Sequence, residues 1–231
     1  MASQGLTARI RELRKQGLTP KQIARTLGMA PAAIAPIIRA VAAQDQAAAP
    51  EREIAGCWVS PGWSEGLTFP DGLGWPDVTL PDSGTSGLVA VVVARDAGGD
   101  KVLVCGYLAD VYCLGVKDAL GPKAMRRRAL PEFTYRFFSA YPAPPLRAPV
   151  ELARHLVFGA VEYAGSLGFP PASDFEKARD HLGPWTGPSA ITFGRDGKPF
   201  YIQGPYDNAA PVMKTLERST GKGDFHFLVG A

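Results

Sequence analysis

The chain has 231 residues, of which 46% are hydrophobic and 20% charged, with a net charge of +3; this is the composition of an ordinary globular chain long enough for two domains. No run of about 18 apolar residues occurs, and the N-terminal MASQGLTARIRELRK has no apolar signal-peptide core, so a cytoplasmic protein without membrane contact is expected. Cys57, Cys105 and Cys113 are odd in number and lack zinc-ligand spacing, which argues against a disulfide framework and a structural metal site.

In chain order, Leu6, Ile10 and Leu13 recur at helical spacing, with Arg9, Arg11, Arg14 and Lys15 on the other faces and Gly17 as a stop. Thr19, Pro20 and Gln22 then form a capping box with proline at the first helical position. In PKQIARTLGMAPAAIAPIIR, residues 20–39, Ile23, Leu27, Met29, Ile34 and Ile37 supply an inward face. Ala24 is small where two helices cross, and Gly28 sits where the turn wants a positive φ. On these residues the segment 4–43 resembles the helix-turn-helix DNA-binding superfamily, which implies a three-helix domain and a DNA partner.

One feature departs from that family. The exposed start of its second motif helix would be Ala30, Pro31, Ala32, Ala35 and Pro36, and none offers a side-chain donor or acceptor to a base edge. The expected mode is therefore contact with phosphates through Arg9, Arg11, Arg14, Lys15, Lys21, Arg25 and Arg39. These seven cations face two acids in residues 1–46, a net of +5, which leaves −2 for the remainder. A module kept for protein contacts is the alternative.

Residues 44–54, rich in Ala, Gln and acids, read as a linker. The Pro- and Gly-rich stretch 59–86 carries Trp58, Trp63, Phe69 and Trp75 at its start and within it, and reads as a loop pinned by its aromatics. GLVAVVVARD follows as a strand, AGGD as a turn and KVLVCGYLADVYCLGVKD as another strand or a bent pair of strands, at the centre of the sheet. The next segment, DALGPKAMRRRALPEFTYRFFSAYPAPPLRAP, reads as helical at first, with Asp118 as N-cap, and as irregular after Pro131. PVELARHLVFGAVEYAGSLG reads as a long buried helix ending at Gly168, and PASDFEKARDHLG as another, capped by Ser173. AITFGRDGKPFYIQGP reads as a β-hairpin turning at Asp196-Gly197, before a helix ending at Gly221 and a last short strand. The expected fold class is α+β: a three-helix helix-turn-helix domain over 1–43, a linker, and a mostly antiparallel α+β domain over 55–231.

Two places in the second domain carry residues suited to chemistry. In DVYCLGVKD, Asp110, Lys117 and Asp118 lie at or beyond a strand end, where carboxylates can hold a divalent cation for phosphoryl chemistry; capping and solvation are the commoner roles. On the long helix, Glu151, His155 and Glu162 share one stripe, outside any HExxH pattern. Cys113 lies beside Asp110, and Cys57 is the cysteine expected to be most accessible. Arg126, Arg127 and Arg128 form a further basic run suited to phosphates. DVYCLGVKD, FGRDGKPFYIQGP and LGFPP make residues 55–231 similar to an uncharacterised bacterial protein family, a resemblance that brings no activity with it.

The leading expectation is thus a DNA-binding transcriptional regulator that grips mainly the phosphate backbone, with an α+β regulatory or dimerisation domain and a homodimer left open. It requires no cofactor. The alternatives are a metal-dependent enzyme acting on nucleic acid or nucleotides, with the helical domain as tether, and a protein-interaction adaptor; only the enzyme would need a divalent metal.

Overall fold

The computed structural model describes residues 2–48, 51–78 and 87–229, in two compact units, residues 1–51 and 52–231. Among the described residues it is α+β, with seven α-helices and a mostly antiparallel five-stranded sheet. Residues 79–86 of the proline-rich stretch lie outside the described residues.

The first unit holds α1 (Ala2–Lys15), α2 (Pro20–Thr26) and α3 (Pro31–Ala48). Gln22 donates its backbone N–H to the Thr19 hydroxyl, and the Gln22 Oε1 accepts from the Thr19 N–H at 2.8 Å, so two of the helix's orphan donors are satisfied reciprocally. Ile10, Leu13, Ile23, Ala24, Ile34, Ile38 and Val41 form the core, with Leu6, Leu18, Leu27, Met29 and Ile37 packed against it. Gly28, at φ +63°, makes the turn between α2 and α3. α3 runs on to Ala48 and takes in part of the stretch read as a linker, because Ala and Gln favour helix where nothing opposes it.

In the second unit the sheet comprises β1 (Ile54–Val59), β2 (Leu88–Asp96), β3 (Lys101–Asp110), β4 (Gly115–Arg126) and β5 (Leu146–Arg147). Their order is β4-β3-β2-β1-β5, every neighbouring pair antiparallel. The central strand β2 is apolar on both sides. Val89, Val91 and Val93 join one core, and Ala90, Val92 and Ala94 another. α5 (Val150–Leu167) covers the first face through Leu152, Leu156, Val157 and Ala160, together with Phe175 and Ala178 of the short α6 (Phe175–Ala178). α4 (Leu130–Phe137), in the stretch expected to be irregular after Pro131, is started by that proline in its first turn and covers part of the second face through Leu130, Phe133 and Phe137. α7 (Ala209–Thr220) is capped by Asn208 and buries Leu216 with Cys113, Leu167, Tyr201 and Phe225.

Several expectations are corrected. DALGPKAMR is the sheet-edge strand β4, and Asp118, opposite Leu108, caps no helix; Arg126 ends that strand, and Arg127 and Arg128 follow in a single 3-10 turn. Asp196 (φ 54°) and Gly197 (φ 79°) do make a tight turn bridged by Arg195 and Lys198. No hairpin grows from it, because β6 (Phe200–Ile202) pairs in parallel with β7 (His226–Leu228) instead. Ser173 does not cap α6, which starts after Asp174 without a side-chain cap. Cys57 is 1% exposed, since its strand is covered by α5. The aromatic loop behaves as read: Trp63 is fully buried, donates to the Pro76 carbonyl at 2.7 Å and stacks near Phe69 and Trp75.

Candidate functional site

The end of β3 is held by Asp110. Its Oδ1 accepts the backbone N–H groups of Tyr112 and Cys113 at 3.0 and 2.9 Å, so the carboxylate fastens the turn into β4. Burial pushes the Asp110 carboxyl up to about 6, against the pull of the Tyr112, Cys113 and Leu114 N–H groups and the Lys117 charge. Lys117 donates to both oxygens of Asp207, at 3.0 and 2.8 Å, and so ties β4 to the loop before α7. Burial works to raise the Asp207 carboxyl, but its bonds to Lys117 and the Gly204 N–H outweigh it and hold the group low. The hydroxyls of Tyr163 and Tyr201 are buried beside this cluster without a hydrogen-bond partner. The Cys113 thiol is raised by burial and by Asp110, which leaves it a thiol and not a nucleophilic thiolate at neutral pH. Burial likewise pushes Cys57 and Cys105 up to about 12.

Asp118 has different surroundings. It lines an apolar cavity on the α4 side of the sheet, so the pair Asp110 and Asp118 does not form one carboxylate site.

On α5, His155 Nδ1 accepts the Ala190 N–H at 2.9 Å, which places the ring proton of the neutral form on Nε2. Its ring lies between Trp75 and Trp185, with centroids 5.2 and 5.1 Å away, and burial lowers its pKa while Glu151 opposes. Glu162 accepts the Trp185 indole N–H at 2.5 Å. His155 and Glu162 thus meet through Trp185, a residue without any helical spacing to mark it. Both are anchored to the 185–190 segment, and Glu151 pairs with Arg154 one turn on. Asp110, Lys117, Asp118, His155 and Glu162 do not converge. Among the described residues no group of three or more His, Cys, Asp or Glu side chains is placed to hold a metal ion.

In the helical unit Arg9, Arg14, Lys21, Arg25 and Arg39 are exposed and Arg11 is half-buried, while Lys15 ends α1. Ala30, Pro31, Ala32 and Pro36 are exposed at the start of α3, so that surface offers carbon and no side-chain hydrogen-bonding group. In the other unit Arg126, Arg127 and Arg128 are exposed; Arg127 pairs with Asp96 at 2.6 Å, Arg126 ends the edge strand β4 and Arg128 lies in the turn after it. Two buried polar residues, Arg95 and His181, carry no local signal in the sequence. Arg95 is 4% exposed and donates to the carbonyls of His181, Leu182 and Arg52, while His181 bonds the Val93 carbonyl at 3.1 Å.

No family model, curated protein or solved structure matches the chain. No helix among the described residues is long and apolar enough to cross a membrane.

Proposed function

We propose that the chain is a DNA-binding protein of helix-turn-helix type, a transcriptional regulator that holds DNA mainly by its phosphate backbone, with the α+β unit as a regulatory or dimerisation body. A cytoplasmic location goes with this reading. The observation that carries it is the surface of the three-helix unit: exposed cations on α1, α2 and α3 beside an α3 start made of Ala and Pro. Such a surface attracts a polyanion without reading base edges. The capping box, the Gly28 turn and the enclosed Ile, Leu and Ala core support a rigid support for those cations.

The test is a titration of random-sequence duplex DNA with the full chain between 50 and 200 mM salt. Each phosphate contact adds about 0.9 to the slope of log affinity against log salt. Changing Arg9, Lys21 and Arg25 together to Gln is expected to lower that slope by about 2 to 3 and to weaken binding to all sequences alike. Affinity indifferent to salt, or unchanged in the triple variant, overturns the reading.

A further inference from the structure

α4 is only eight residues long, and among the described residues part of the second sheet face beside it stays open. There a cavity of about 410 Å³ is floored by Leu88, Gly106 and Leu108 and walled by Phe137 and Tyr141, with Asp118 on its lining. Its size falls within the roughly 300–1,000 Å³ of small-molecule sites.

Two features show that the wall is built and is not a gap in packing. A Cβ at residue 106 would lie 2.5 Å from the Phe137 ring, so only glycine lets that ring lie flat on the sheet. Tyr141 donates its hydroxyl to the Leu88 carbonyl at 3.1 Å, which fixes the turn after α4 against β2. Among the described residues the lining contains no Lys, Arg or His. Asp118 is exposed, and its carboxylate makes no hydrogen bond or ion pair among the described residues.

We propose that this cavity binds a small apolar molecule bearing an amine, the hydrocarbon lying on Leu88, Leu108 and Phe137 and the ammonium facing the Asp118 carboxylate. The apolar walls take the hydrocarbon out of water, and the carboxylate sets the sign of the head group. A ligand with a carboxylate of its own meets repulsion where the amine meets attraction. The site is independent of the DNA-binding reading and stands whether or not the helical unit binds DNA.

Calorimetric titration of the full chain with 4-phenylbutylamine and with 4-phenylbutyrate tests this. For an exposed pair, attraction and repulsion are each worth up to about fivefold, so the amine is expected to bind about tenfold more tightly than the acid. In Asp118→Asn that preference is expected to vanish while weak binding of both remains, a change at an exposed side chain that leaves the fold intact. Leu108→Trp and Leu120→Trp, which narrow the cavity from two sides, are each expected to weaken binding of both compounds. Absence of saturable binding by the amine, a preference that survives in Asp118→Asn, or full binding in both tryptophan variants overturns the proposal.

Discussion

Two buried ionisable residues set opposing pH responses in the α+β unit. Burial holds the His181 imidazole down to about 4, helped by the Arg95 charge, although its bond to the Val93 carbonyl pulls the other way. A depressed histidine contributes stability that is present above its ordinary value near 6.5 and is lost as the pH falls toward 4. Asp110, raised to about 6, acts in reverse: the fold favours its protonated form, and stability is lost as the pH rises from about 4 through 6. Asp110→Asn keeps an acceptor for the Tyr112 and Cys113 N–H groups and removes the charge. Its stability relative to the parent is therefore expected to improve by about 1–3 kcal/mol between pH 4 and pH 7, and His181→Gln to flatten the loss of stability on acidification. Urea unfolding followed by tryptophan emission at several pH values checks both, and a pH-independent difference between parent and Asp110→Asn would falsify the assignment. Neither effect was legible beforehand. His181 follows a run that reads as an amphipathic helix, and its partners Val93 and Arg95 stand almost ninety residues upstream.

At the scale of elements, α3 contains an internal conflict. Pro36 lies inside it, where it removes the hydrogen bond to the carbonyl four residues back and crowds that turn. Pro36→Ala is expected to stabilise the helical unit by about 1–3 kcal/mol, read as a higher midpoint in thermal unfolding at 222 nm. The elements that could be read from the chain are those in which local chemistry and packing agree. Thr19, Pro20 and Gln22 set the start of α2 by themselves, and α5 has both an apolar stripe and the left-handed Gly168 at its end. β4 misleads because it is an edge strand: exposed Lys123, Ala124 and Arg126 are good helix formers, and the pairing with β3 that overrides them is not local. The Asp196-Gly197 turn forms as its residues require, yet turn chemistry does not determine which strand β6 pairs with, and β7, some 26 residues on, takes that place. The cavity beside α4 was invisible for the same reason. Leu88, Leu108, Asp118 and Phe137 come from four elements, and no periodicity links them.

The whole molecule has its cores divided between two units, and the division has a measurable consequence. Ile10, Ile23, Ile34 and Val41 make a core drawn from residues 1–51 alone, whereas the sheet is buried on both faces by residues of the second unit. A unit of about fifty residues buries a smaller fraction of its surface than one of about 180 and is correspondingly less stable. All four tryptophans, Trp58, Trp63, Trp75 and Trp185, stand in the larger unit, so their emission reports it alone, while ellipticity at 222 nm reports helices in both. In urea the helical signal is expected to begin falling at lower concentration than the tryptophan emission, with α1, α2 and α3 lost first. Coincident transitions from the two probes would mean that the units unfold as one. Added duplex DNA then separates the roles: a ligand of the helical unit raises the midpoint of the first transition by mass action and leaves the second in place, whereas 4-phenylbutylamine is expected to move only the second.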